Sequence, residues 1–146
     1  MSQKSYRTLL WGVSALGVVC FIFANSLLSA SASTGESYFF LELLRVIFPN
    51  ITHHTVRKLA HFAEYALLGA HFAFLPYLWQ GRARFAYLLT LSFGAVIAFL
   101  DEGIQRLVPD RGASLTDVLI DLLGYLFALV FVFLLLFCIR KGKKNV

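Results

Sequence analysis

The chain has 146 residues, is 59% apolar and has a mean hydropathy of +0.74. Soluble domains are only about half apolar, so this composition excludes that class and indicates a single integral membrane domain over residues 1–146. The net charge of +5 accompanies no array of aromatic and basic residues typical of nucleic-acid surfaces, and it indicates contact with anionic lipid headgroups.

Four hydrophobic segments predict the main elements, because a membrane span needs about 20 mostly apolar residues. They cover residues 9–28, 59–79, 85–108 and 118–139. The expected fold is therefore all-α, a polytopic bundle of four transmembrane helices. The chain ends and the second connection are rich in Lys and Arg, which predicts a cytoplasmic location for both termini. These cations are Lys4, Arg7, Arg82, Arg84, Arg140, Lys141, Lys143 and Lys144.

The first segment also has features of a cleavable signal peptide, since Lys4 and Arg7 precede it and Ala30-Ser31-Ala32 follows it. Its apolar run is longer than the signal core of about 7–15 residues, and its removal would leave only three spans. A retained first span is the favoured interpretation. Cys20 and Cys138 fall at different predicted depths in separate helices, so no disulfide is expected.

The connection over residues 29–56 is amphipathic from 38 to 48, and Pro49 is expected to end that segment. Glu42 and Arg45 can stay in water while the apolar face lies in the outer membrane interface. The tandem His53-His54 could suggest a metal site, but adjacent helical positions diverge by about 100 degrees. The two histidines are therefore interpreted as solvated. The apolar face consists of Tyr38, Phe39, Leu43, Val46 and Ile47.

All carboxylates fall on the side of the membrane opposite to the Lys/Arg-rich segments, and most lie near three helix ends. At 1.5 Å rise per residue, Glu64, Asp101 and Asp121 would each lie about 9–10 Å inside their helices, at similar depth. Helical spacing adds neighbours on the same faces. The stripes are Lys58, His61, Tyr65 and Gly69, with Glu64 on the flank; Asp101 and Gln105; and Asp117, Asp121 and Gly124.

Buried carboxylates cost several kcal/mol each unless they are matched. Six acids from Glu64 to Asp121 lie on the side of the membrane that holds four bases, so either an acid is protonated or a divalent cation such as Mg²⁺ binds. These bases are Arg57, Lys58, Arg106 and Arg111. No compact spacing such as H-E-x-x-H occurs, so the sequence assigns no metal ligands. We predict His61, Glu64 and Asp101 as acid or base candidates. The predicted binding residues are Lys58, Tyr65, Glu102, Gln105, Arg111, Asp117 and Asp121.

Structural interpretations of the same residues remain open. The whole cluster could be a set of structural ion pairs. Ser114-Leu-Thr-Asp117 fits a capping box that begins the fourth helix. Gly124 and Ala128 form a small-residue face suited to close helix packing. Arg57, Arg106 and Asp110 are expected near water.

Three ordered blocks resemble the VanZ-like membrane proteins, a family named for a protein associated with teicoplanin resistance. The resemblance implies a bacterial inner-membrane protein of the glycopeptide-resistance class, without an established reaction. The chain departs from the family at Asp110, where glycine is common, and at Asp121, where asparagine is frequent. The blocks are Lys58-x-x-His61-Phe62-x-Glu64-Tyr65-x-x-Leu68-Gly69, Asp101-Glu102-x-x-Gln105-x-x-Val108-Pro109-x-Arg111 and Ser114-x-x-Asp117-Val118-x-x-Asp121-x-x-Gly124, with a weaker match at Asn25-Ser26 and Ser29.

Lys58, His61 and Arg111 as donors beside carboxylates suit a phosphorylated lipid headgroup at the outer leaflet. The favoured hypothesis is binding or modification of an envelope lipid, such as a polyprenyl-linked wall precursor or an anionic phospholipid. The first alternative is a non-catalytic lipid- or partner-binding protein with a structural charge cluster. The second is small-solute transport, which is disfavoured because the inner halves of the helices are nearly all apolar. The sequence predicts no oligomeric state.

Overall fold

The computed structural model describes residues 3–28, 30–79, 83–109 and 111–144; Ser29, Arg82 and Asp110, named above, lie outside these ranges. The described residues form helices and no strand, which confirms the predicted all-α fold. The helices are α1 (Gln3–Leu27), α2 (Ala30–Arg45), α3 (His53–Phe72), α4 (Leu75–Leu78), α5 (Ala83–Gln105) and α6 (Leu115–Lys144).

Three helices contain stretches long and apolar enough to cross a membrane, namely Ser5–Leu27, Arg84–Gln105 and Leu115–Ile139. Large apolar side chains cover their outer faces; Leu16 is 63% exposed, Phe99 60% and Leu134 59%. An apolar surface of this extent is suited to lipid rather than to water. The chain is therefore a multi-pass membrane protein. Cys20 and Cys138 are unpaired, as predicted.

The second predicted segment, 59–79, differs from the helix that forms. Thr52 caps α3, and its hydroxyl accepts a hydrogen bond from the Thr55 backbone N–H at 3.3 Å. The helix therefore begins before the apolar run, at His53, and it ends at Phe72. Because α3 includes the polar residues of its first turns, it is a fourth long helix that is less apolar than the other three.

Proline explains why α3 does not continue to residue 79. Pro76 lies in the first turn of α4 and has no N–H to donate to the carbonyl four residues earlier, that of Phe72. Other helices satisfy the last carbonyls of α3: the Thr90 hydroxyl donates to the Phe72 carbonyl at 3.3 Å, and Trp11 Nε1 donates to the His71 carbonyl at 2.9 Å. The break thus ties α3 to α1 and α5.

The amphipathic connection is the helix α2, which begins at Ala30, before the predicted segment, and ends at Arg45, four residues before Pro49. All five residues of the predicted apolar face are exposed, and Val46 and Ile47 belong to the turn that follows α2. Leu41, which the prediction did not include, is fully buried. The helix therefore packs on the bundle through Leu41 and leaves an apolar face free.

Helices α3 and α6 share the most extensive contact in the molecule, and two glycines make it possible. A Cβ atom on Gly69 would collide with the backbone carbonyl of Tyr125, and one on Gly124 would collide with the carbonyl of Phe62. Each helix thus presents a glycine to the backbone of the other, the arrangement that small residues permit between membrane helices. Close packing at Gly124 was predicted; the reciprocal role of Gly69 was not.

Gly124→Ala and Gly69→Ala are expected to lower the free energy of unfolding by about 1–3 kcal/mol or more, because a backbone atom cannot move aside as a side chain does. The control is Gly17→Ala, since nothing lies within 4 Å of a Cβ added to Gly17. Thermal unfolding of the detergent-purified variants measures the difference. Equal unfolding temperatures for Gly124→Ala and Gly17→Ala would contradict the close contact.

Candidate functional site

The centre of the polar site is formed by His61 from α3, Asp101 from α5 and Asp121 from α6, called here the central cluster. One ligand-type atom from each residue lies within 4.8 Å of the other two. All three side chains are buried, with exposed fractions of 7%, 1% and 0%. His61 Nδ1 lies 3.2 Å from Asp121 Oδ1. Asp121 precedes Gly124 by one helical turn, so the close α3–α6 contact brings its carboxylate to the imidazole.

The two carboxylates of the central cluster have different partners. Asp101 accepts hydrogen bonds on both oxygens, from the Ser26 hydroxyl on Oδ1 and from Gln105 Nε2 on Oδ2 at 3.2 Å. Asp121 Oδ2, in contrast, is buried without a hydrogen-bond partner among the described residues. The buried hydroxyl of Tyr65, one turn after His61, is also unpartnered within those residues. Such atoms cost about 1–3 kcal/mol each, so they are suited to contact a ligand.

Two further acids surround the central cluster. Glu64 Oε1 accepts a hydrogen bond from Asn25 Nδ2 at 2.7 Å. Glu102 is buried, and its Oε2 accepts from the Ser114 backbone N–H at 2.7 Å, while its Oε1 has no partner in the described part of the chain. These contacts attach the ends of α1 and α6 to the acids on α3 and α5.

The contact at Ser114 changes the predicted capping box. Glu102 of α5 supplies the carboxylate that receives the Ser114 N–H, which the sequence had assigned to Asp117. The Asp117 carboxylate instead lies 3.8 Å from Arg57 Nη2. The reason is tertiary, because the turn after α5 places Glu102 beneath the start of α6, where a local pattern cannot foresee it.

Arg111 holds the C-terminal end of α1. Its Nη1 donates to the backbone carbonyls of Asn25, Ser26 and Leu28 at 2.9, 2.9 and 3.1 Å. Burial, with repulsion from Arg57, lowers the pKa of the guanidinium, but arginine side chains stay cationic in proteins at neutral pH. A cation at this position also complements the negative end of the helix dipole.

A cavity of about 810 Å³ lies between α1, α2 and α3 and reaches the central cluster at His61. Its walls include apolar side chains of all three helices, among them Phe21, Phe39, Phe40 and Leu67. Lys58, predicted to bind phosphate, is not among its lining residues, whereas Arg57, predicted to be solvated, is. The polar lining residues are Asn25, Ser26, Arg57, His61, Glu64 and Arg111.

The structure therefore brings together most of the predicted site residues but sorts them by position. His61, Asp101, Asp121, Gln105 and Tyr65 are buried in or next to the central cluster. Glu102 and Asp117 lie buried at the junction of α5, α6 and α3. The predicted site did not include Asn25 and Ser26, although a polar pair in the last turn of an apolar helix, at the depth of the acids, was a usable signal.

Arg111→Met is expected to lower the free energy of unfolding by about 1–3 kcal/mol, because three carbonyls at the end of α1 lose their donor. Arg106→Met is the control, since Arg106 is exposed and also follows α5. Thermal unfolding in detergent measures both. A loss of stability that is the same for the two variants would show that the carbonyl contacts contribute nothing specific.

Comparison with curated proteins and with solved structures gave no match. The family model described as VanZ/LLP1 matches residues 11–137, a range that includes the central cluster, the cavity lining and both helix-packing glycines. The match covers most of the chain, and we conclude that this protein belongs to the VanZ/LLP1 family.

Proposed function

We propose that the protein binds, and in its enzymatic form modifies, the phosphorylated headgroup of an envelope lipid at the outer leaflet of the bacterial inner membrane. The observation that carries this proposal is the cavity, which combines a polar end at His61 with apolar walls from α1, α2 and α3. A lipid has the same division between headgroup and chain. The volume of about 810 Å³ is in the range of small-molecule sites, roughly 300–1,000 Å³.

The polar lining supplies complementary chemistry for a phosphate. Arg57 and Arg111 provide positive charge, and charge-assisted hydrogen bonds to phosphate oxygens are among the stronger ones. Glu64 offers a carboxylate to a hydroxyl or amine elsewhere on the headgroup. A polyprenyl-linked wall precursor and an anionic phospholipid both have these features. The exposed apolar face of α2, which contributes Phe39 and Phe40 to the walls, lies along the expected path of the hydrocarbon chain.

In the enzymatic version, His61 is the acid or base that faces the cavity, and Asp121 orients its ring through the 3.2 Å contact. Glu64 is a second candidate because it also lines the cavity. A binding protein without turnover is the other candidate function. It is favoured by Asp101, whose two oxygens already accept hydrogen bonds from Ser26 and Gln105, as expected of a structural carboxylate.

The orientation in the membrane belongs to the same proposal. Lys and Arg at both termini support cytoplasmic ends, which would direct the acidic residues and the cavity to the outer side. Membership of the VanZ/LLP1 family links the chain to glycopeptide resistance. We infer that the protein changes susceptibility to teicoplanin through the lipid that it binds.

Arg57→Gln is expected to weaken binding of a polyprenyl phosphate about tenfold, or about 1.4 kcal/mol, because one charge-assisted contact is lost. Lipid titration of the protein in nanodiscs, followed by native mass spectrometry, measures the affinity. Arg106→Gln is the matched control, since this exposed arginine does not line the cavity. Equal binding of polyprenyl phosphate and the uncharged polyprenol by the native protein would refute headgroup recognition.

Expression of the native chain in a sensitive bacterium is expected to raise the inhibitory concentration of teicoplanin, with vancomycin as a comparison. Asp101→Asn, at matched abundance in the membrane, should abolish the effect because it removes charge from the central cluster at nearly constant size. Glu42→Gln, a change at an exposed acid of α2, should not. If both variants protect, Asp101 is not required for the effect and does not belong to the site. If the native chain does not protect, the protein does not confer resistance in that host.

A further inference from the structure

We propose that the central cluster of His61, Asp101 and Asp121 binds one divalent transition-metal ion, of the Zn²⁺ or Mn²⁺ class, next to the polar end of the cavity. The metal site rests on the three side chains themselves. Its role, to bind a phosphate oxygen of the lipid headgroup, rests on the proposed function, with Glu64 and not the metal-bound His61 as the acid or base. The sequence showed no metal-ligand spacing because the three ligands come from α3, α5 and α6.

The distances fit a metal centre after small side-chain rotations. Metal bonds of about 2.0–2.2 Å place neighbouring donor atoms roughly 3.0–3.5 Å apart. His61 Nδ1 and Asp121 Oδ1 are 3.2 Å apart, and the three ligand-type atoms lie within 4.8 Å of one another. Each residue is on a different packed helix, and the glycine contact between α3 and α6 holds two of these helices at a short separation.

An unpartnered buried atom supports a ligand at this position independently of the spacing. Asp121 is fully buried, and its Oδ2 has no hydrogen-bond partner among the described residues. Within that part of the chain, His61 is the one cationic side chain within 4 Å of Asp121, and none lies within 4 Å of Asp101. Two buried carboxylates therefore share at most one imidazolium charge. A divalent ion with a neutral imidazole and two carboxylates would balance the charge.

The hydrogen bonds around the cluster are of the kind that orients metal-binding side chains in other proteins. Ser26 and Gln105 both donate to Asp101 and fix the carboxylate from two directions. Outer contacts of this kind keep ligating groups in place and tune the metal. Ser26 and His61 also line the cavity, so a coordination position on that side is accessible to a headgroup.

The donor set indicates the class of metal. Ca²⁺ prefers six to eight oxygen ligands, and Mg²⁺ binds mainly through carboxylates and water. An imidazole nitrogen favours Zn²⁺ and its neighbours, and carboxylates also accept Mn²⁺. Three protein ligands with a position left for substrate is the usual arrangement of a catalytic zinc. The sequence named Mg²⁺ as an example of the divalent cation; the donor set leads us to favour Zn²⁺ or Mn²⁺ instead.

The test is equilibrium dialysis of the full chain in nanodiscs against Zn²⁺ and against Mn²⁺, with the bound metal quantified. The native protein should bind one ion per chain, and His61→Gln and Asp121→Asn should each weaken binding by at least about tenfold. Glu42→Gln is the control, because it changes an exposed carboxylate of α2 that belongs neither to the cluster nor to the cavity lining. It should keep the native affinity for metal.

The proposal is overturned if the native chain binds no stoichiometric metal, or if Glu42→Gln and Asp121→Asn lose affinity equally. Should the ligand variants not fold, X-ray absorption of the zinc-loaded native chain decides: one imidazole with oxygen ligands supports the site, and a shell of sulfur or of oxygen alone overturns it.

Polyprenyl phosphate titration with and without a chelator separates the metal site from the proposed lipid binding. Metal binding without lipid binding rejects only the proposed function, whereas lipid binding by a chain that takes up no metal rejects only the metal site.

Discussion

Gly69 and Gly124 allow the backbones of α3 and α6 to approach each other, and the site depends on that approach. Each glycine lies against a carbonyl of the opposite helix. His61 precedes Gly69 by two turns, and Asp121 precedes Gly124 by one, so the separation of the helices sets the distance between imidazole and carboxylate. In a lipid environment, where apolar burial does not drive helices together, close van der Waals contact has this organising role.

The polar residues link the helices in a second way. Asp101 of α5 is held by Ser26 of α1, Glu64 of α3 by Asn25 of α1, and the end of α6 by Glu102 of α5. Each of these hydrogen bonds joins two segments that are distant in sequence. Arg111 adds a further link, because its side chain donates to carbonyls at the end of α1. An acid left without its donor would cost several kcal/mol at this depth, so the assembly of the helices and the formation of the site depend on each other.

Structure and the proposed function thus use different atoms of the same cluster. Asp101 has donors on both oxygens, while Asp121 Oδ2 and the Tyr65 hydroxyl have none within the described residues. The satisfied groups stabilise the bundle, and the unsatisfied ones are where a ligand would gain most, because it would meet atoms already stripped of water. The cavity reaches this region at His61 and has apolar walls, a combination that supports the amphiphilic ligand proposed above. These features favour the proposed binding site over a purely structural ion-pair cluster.

The sequence by itself determined the all-α membrane fold, the amphipathic α2 and the grouping of acids near three helix ends. These features depend on local composition and on helical periodicity, which act over a few residues. Pro76 is likewise a local signal, since it ends α3 through its own missing N–H. Tertiary structure alone decided that Thr90 satisfies the Phe72 carbonyl, that Glu102 replaces Asp117 at Ser114, and that Arg57 rather than Lys58 lines the cavity. Each of these outcomes depends on the distance and rotation between helices distant in sequence. Those quantities are set by backbone contact at two glycines and by the hydrogen bonds that most buried polar groups make across helices.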